Sequence, residues 1–177
     1  MPRYVAFLRA VNVGGRFVKM ADLRDLLTDA GLIEVSTYIQ SGNVLFSSPM
    51  RSAPKVEALI EQTLLAHLGF AVDTMVRGKA ELAAAVSEGN ALQDPFGGDG
   101  RHMASMLKAS PAPGAQQRLD EWYEPGVRGY FLDRQLHLFY GMPMTESKLT
   151  GPKLAKISGC PGTVREWRVL EAVRELL

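Results

Sequence analysis

Residues 4–11 are almost entirely apolar, as expected of an interior strand covered on both faces, and the run stops at the turn-forming Asn12-Val13-Gly14-Gly15. Met20, Leu23, Leu27 and Ala30 then recur at helical spacing, with Asp22 and Asp25 early and Gly31 at the end, which predicts a helix. Residues 34–40 alternate between apolar and polar, and residues 44–47 form a second β-rich run across Ser41-Gly42-Asn43, so the pair predicts a hairpin. Pro54 opens a helix carrying Val56, Leu59, Ile60, Leu64 and Leu68 and closed by Gly69, after which residues 72–77 predict a fourth strand. The resulting order, βαββαβ, is that of a split βαβ unit with two helices on one face of an antiparallel sheet.

A similar order follows. A helix over 79–87, a strand over 102–108, a helix over 114–123 and a hairpin of 128–132 with 136–140 lead to a helical stretch near 146–157, interrupted at Gly151-Pro152. Thr163 and Glu166 have the spacing of a capping box, and Trp167, Leu170, Val173 and Leu177 share one helical face, which predicts a final helix over 164–177. The fold expected is α+β, with two ferredoxin-like (split βαβ) subdomains, antiparallel sheets and C-terminal helices. Residues 1–78 form the first subdomain and 79–177 the second, with a linker near 90–100 around Asp94-Pro95-Phe96-Gly97-Gly98.

Composition narrows the function classes. Twenty Lys and Arg against 19 Asp and Glu leave a net charge of +1, so there is no global basic field, and any electrostatic function is local. The single cysteine, Cys160, excludes an intrachain disulfide and any multi-cysteine metal site and fits a reducing cytoplasm. No apolar run approaches the ~20 residues of a membrane helix, and the start of the chain reads as a strand rather than a signal peptide. A cytoplasmic protein is therefore expected.

Three stretches carry a family likeness: Phe7-Leu8-Arg9-Ala10-Val11-Asn12-Val13-Gly14-Gly15 with Lys19-Met20-Ala21-Asp22-Leu23; Tyr38-Ile39-Gln40-Ser41-Gly42-Asn43-Val44; and Gly162-Thr163-Val164-Arg165-Glu166-Trp167. With them the chain resembles the bacterial domain-of-unknown-function family 1697 over essentially its whole length. Asp94-Pro95-Phe96 stands where that family has Asn-Pro-Phe, and Ser147-Lys148-Leu149 matches its Ser-Lys-Leu. Glu166 stands in place of an Asn, and Val164 in place of a second Thr. The resemblance implies a two-subdomain α+β protein and no assigned activity.

In a split βαβ unit the loop leaving strand one and the turn joining strands two and three lie at the same sheet edge, so the first two motifs converge. Asn12, Gly14 and Gly15 lead to a helix N-terminus, where free N–H groups and the dipole favour an anion. Gln40, Ser41, Gly42 and Asn43 bring neutral hydrogen-bonding groups opposite. Arg3, Arg9, Arg16 and Lys19 all precede the first acidic residue, Asp22, so the edge is expected to be positive. The alternative for the glycines and Asn43 is tight-turn chemistry, and for Arg9 a structural ion pair.

Catalytic patterns mostly fail. His67, His102 and His137 fall on separate elements without metal-binding spacing, and no cofactor or metal is called for. Ser147 and Lys148 lack the Ser-x-x-Lys spacing of a nucleophile pair. Arg165 and Trp167 offer either a stacking platform with a cation or a core tryptophan on an amphipathic helix. The leading expectation is a non-catalytic binder of an anionic small molecule or nucleic acid at Arg9, Asn12, Gly14, Gly15, Lys19, Gln40, Ser41, Gly42 and Asn43. Ser147, Lys148, Arg165 and Trp167 are secondary candidates. The competing readings are a small enzyme acting on a phosphorylated or carboxylated metabolite in the cleft between subdomains, with Lys19 or Lys148 as electrophilic helper, and a structural or interaction module.

Overall fold

The computed structural model describes every residue, Met1–Leu177. The chain divides into two compact units, Met1–Ala83 with Ala172–Leu177, and Ala84–Glu171. In the first unit the elements are β1 (Arg3–Leu8), α1 (Met20–Asp29), β2 (Ile33–Tyr38), β3 (Asn43–Ser47), α2 (Ala53–Leu68) and β4 (Thr74–Gly78). The strands form one antiparallel sheet in the order β2-β3-β1-β4, with Tyr4 opposite Phe46 on one side and Gly78 on the other. This is the split βαβ arrangement. One sheet face supplies Tyr4, Ala6, Leu8, Val44, Phe46 and Val76 to a core completed by Leu23 and Leu27 of α1 and Val56, Ile60 and Leu64 of α2. Each fully buried valine, leucine, isoleucine or phenylalanine among them contributes about 1.5–3 kcal/mol of transfer free energy.

β1 is shorter than its apolar run. Pairing ends at Leu8 because Ala10 and Asn12 take positive φ, 54° and 59°, which turns the chain out of the sheet. Arg9 therefore lies just past the strand instead of on its packed face. On β2 the register shifts between Ile33 and Ser36, where Glu34 sits at φ 52°.

The second unit repeats the plan. After α3 (Lys79–Asn90) come β5 (Arg101–Leu107), α4 (Ala115–Glu121), β6 (Val127–Leu132), β7 (Gln135–Tyr140), α5 (Gly151–Ser158), β8 (Gly162–Glu166) and α6 (Trp167–Leu176). Its antiparallel sheet has the order β6-β7-β5-β8. Met103, Leu136, Leu138 and Tyr140 pack on Leu119 of α4 and Leu154 and Ile157 of α5. The stretch around Asp94 lies inside this unit, where the Asp94 carboxylate accepts the N–H groups of Phe96 and Gly100.

Two expectations need correction here. The helix expected to begin at 164 begins at Trp167, because Gly162–Glu166 is a strand paired with β5, Thr163 opposite Met106 and Arg165 opposite Ala104. Thr163 caps nothing; its hydroxyl accepts a 2.7 Å hydrogen bond from Arg165 Nη1. The stretch expected to be helical from 146 is a single 3-10 turn, Met144–Glu146, followed by an extended strap; α5 starts at Gly151 with Pro152 in its first turn, where a missing N–H costs nothing.

Candidate functional site

The edge where β1 ends is organised by one side chain. Asn12 Nδ2 donates to the Gln40 carbonyl at 3.0 Å, while its Oδ1 accepts the Val18 N–H at 2.9 Å. The loop leaving β1 is thereby fastened to the β2–β3 turn and to the start of α1 at once. The Asn12 N–H donates to the Arg16 carbonyl and the Arg16 N–H to that of Val13, so Gly14 and Gly15, at φ 61° and 84°, form the tip of a small hairpin. A Cβ added at either glycine would meet nothing. Both are needed for backbone conformation alone.

Gly42 is different. Its carbonyl accepts the Leu8 N–H at 2.8 Å, and a Cβ there would lie 3.0 Å from Leu8 Cβ, so this glycine is required by close approach as well as by its φ of 77°. Asn43 is fully buried; its amide donates to Tyr38 O and Ser41 Oγ and staples the turn from beneath. Arg9 pairs with Asp73, Nη1 to Oδ2 2.9 Å, and its N–H donates to the Asp73 carbonyl. Its charge is thus largely balanced by a partly exposed partner.

What remains open is a groove of about 400 Å³ lined by Asn12, Phe17, Val18, Lys19, Met20 and Gln40. Lys19 stands at the N-cap of α1, exposed, and gives that helix start no side-chain cap. Phe17 is 75% exposed beside it. Of the expected residues, Asn12, Lys19 and Gln40 line the groove. Ser41, Gly42 and Asn43 hold the turn, Gly14 and Gly15 form the loop tip, and Arg9 lies at the β1 exit.

The secondary candidates have structural partners. Ser147 Oγ donates to Glu124 Oε2 at 2.7 Å, and the Lys148 N–H donates to Oε1, so Glu124 grips the strap before α5. Arg165 is buried on β8, donates to Thr163 and to the Val164 carbonyl, and has its pKa lowered to about 10 by burial. Trp167 is 9% exposed and donates to Asn90 Oδ1 at 2.7 Å, so it is no open stacking platform.

Three further hollows share Trp122, the largest about 470 Å³ and bordered by Glu124, Glu146 and Lys148. Most of their cations are committed or opposed. Arg118 donates to the carbonyls of Ile157 and Pro113, Arg128 to those of Glu124 and Val127, and Lys153 Nζ sits 3.8 Å above the Trp122 ring. Two carboxylates beside Lys148 disfavour an anion there.

Sequence spacing misses one constellation. His102 of β5 and His137 of β7 meet, Nε2 to Nδ1 3.1 Å, and the His102 ring lies stacked between Trp167 and Phe139 with both centroids 4.3 Å away. The residues are adjacent because the β5–β7 register sets His102 opposite Phe139 and Ala104 opposite His137, a cross-strand relation with no trace in linear spacing.

A model of the family described as "Protein of unknown function (DUF1697)" matches residues 1–136. Among solved structures, the conserved bacterial protein SP0830 from Streptococcus pneumoniae is similar over 100% of this chain and 98% of its own, with a TM-score of 0.77 and 23% identity. That likeness concerns the fold alone. No curated protein matches the chain.

Proposed function

Starting from the premise that the chain belongs to the DUF1697 family, which supplies no activity, we propose that it is a non-catalytic binding protein for an anionic ligand, a nucleotide or nucleic acid. The binding edge is the one built from Arg9, Asn12, Gly14, Gly15, Lys19, Gln40, Ser41, Gly42 and Asn43. The observation that carries this reading is the groove beside α1: an exposed lysine at an uncapped helix start, an exposed phenylalanine next to it, and no acidic side chain in its lining. A helix start and a cation suit a phosphate, and an open aromatic face suits a base. The absence of histidine, cysteine and carboxylate from the lining favours binding over acid–base or nucleophilic catalysis.

The test is a thermal-shift panel at low and moderate salt with mononucleotides, sugar phosphates, organic acids and short oligonucleotides, on the native chain and on Lys19→Ala and Phe17→Ala. A ligand at 100 times its dissociation constant stabilises by about 2.7 kcal/mol, a readily visible shift. The reading expects stabilisation by nucleotides or oligonucleotides that salt weakens and both substitutions reduce. No shift with any member of the panel, or a shift indifferent to both substitutions, would overturn it.

A further inference from the structure

The histidine pair of the second unit lines none of the grooves described above, yet it is built with several unusual features together. His137 is fully buried, and its Nε2 has no hydrogen-bond partner. His102 is held face to face by Trp167 and Phe139, at interplanar angles of 18° and 14°. Trp167 in turn is fixed by its indole N–H to Asn90 on α3. Gly89, next to Asn90, is where α3 closes on the cluster: a Cβ there would fall 2.1 Å from the Trp167 ring and 2.7 Å from His137 Cε1. The end of α3 and the Trp167 ring thus pack directly around the two imidazoles.

Their places suit neutral rings. The 3.1 Å bond needs one nitrogen to donate and the other to accept, which a neutral pair satisfies. A doubly charged pair has N–H groups on both sides of that contact and loses it, and a charged His137 carries an Nε2–H donor with no acceptor in reach. Burial lowers the pKa of His102 to about 4, against the raising effect of Asp94. Burial, then the charge of His102, lowers that of His137 to about 4.

The charged surroundings are these. The loop after α3 contributes Asp94, whose carboxylate already accepts two backbone N–H groups. β8 contributes Arg165, on the same sheet face as His137 because Ala104 lies opposite both, and Glu166, which pairs with Arg101 of β5 and Arg168 of α6. α3 contributes the uncharged Gly89 and Asn90. Asp94 and the two aromatic faces favour a first proton on His102. Nothing comparable favours a second on His137.

We propose that His102 and His137 form an acid-operated latch, in which protonation of His137 breaks the imidazole contact and releases Trp167 and the end of α3 from the second sheet. Its direction follows from linkage. The open form takes up protons near the ordinary histidine value of 6.5 and the closed form only near 4. Closure is thus fully favoured above 6.5 and lost as the pH falls from 6.5 to 4, with the opening constant rising by up to about tenfold per pH unit for each imidazole.

The experiment follows the histidine ring signals by NMR and the emission of Trp167 from pH 7.5 to 3.5, in the full chain carrying Trp122→Phe so that one indole reports. The latch expects both buried rings to titrate well below the ordinary histidine value of 6.5, His137 last, with the indole signal changing at the His137 midpoint. It also expects that indole change to vanish in His137→Leu. If His137 titrates near 6.5, or the indole transition persists in His137→Leu, the proposal fails. Should His137→Leu not fold, the native midpoints decide: coincidence of His137 and Trp167 supports the latch, and separation of the two rejects it.

Discussion

The two units are built on one frame and finished differently. In both, the residue ending the central strand donates its N–H to the hairpin turn, Leu8 to Gly42 and Leu107 to Arg134. In both, the next N–H goes to the chain entering the outer strand, Arg9 to Asp73 and Lys108 to Pro161. Beyond that point they diverge. The first unit continues into a glycine-tipped loop clamped by Asn12, which leaves a groove at the sheet edge. The second continues through Pro111 and Pro113 directly into α4, and its peculiarity lies on the sheet face: His137 occupies the place that Leu45 occupies in the first sheet, opposite Ala104 as Leu45 is opposite Val5. A shared frame thus fixes hydrogen bonds at strand ends while leaving edge loops and face residues free to differ.

The comparison can be broken most forcefully by moving the imidazole. Leu45→His buries a histidine where no second histidine waits, so we expect a loss of about 3 kcal/mol from the missing leucine packing and the buried polar ring. Urea denaturation measures it, and a loss under 1 kcal/mol would mean the two sheet faces are interchangeable after all. A smaller effect is expected at Gly89. Replacing a helical glycine by alanine ordinarily gains up to about 1 kcal/mol, whereas Gly89→Ala is expected to cost about 1–3 kcal/mol because the new methyl meets Trp167. Thermal melting beside Gly151→Ala, at a helical glycine whose Cβ would meet nothing and whose φ is not positive, separates steric cost from backbone preference. Smallest is Asn12→Ala, expected to cost about 1 kcal/mol through two lost hydrogen bonds to backbone groups that water can reach. Its signature is local: amide exchange should speed at Val18 and not in β5–β8, and uniform acceleration would show that the loop is no separate device.

Much of this was legible in the chain. Alternation and helical spacing mark nearly every element, and the glycines at 14, 15, 42 and 69 sit where left-handed backbone is used. The convergence of the Asn12 loop with the Gln40–Asn43 turn follows from topology, since β1 and β2 both run antiparallel to β3. β8 was hidden because Thr163-x-x-Glu166 imitates a helix cap and Trp167 extends the helical spacing backwards. The repeat itself held the remedy: β4 passes straight into α3 at Gly78-Lys79, and β8 passes straight into α6 at Glu166-Trp167. An ion pair for Arg9 was among the alternatives, but its partner Asp73 and the burial of Asn43 depend on where strands stop, which hydropathy marks poorly. The histidine pair depends on register between strands separated by a helix and a hairpin, and no local pattern carries it.

The first unit is closed by residues 172–177, which the chain reaches only after all of the second. A chain cut after residue 83 is therefore missing part of its own unit, and the two units cannot be parted at a single point in the sequence.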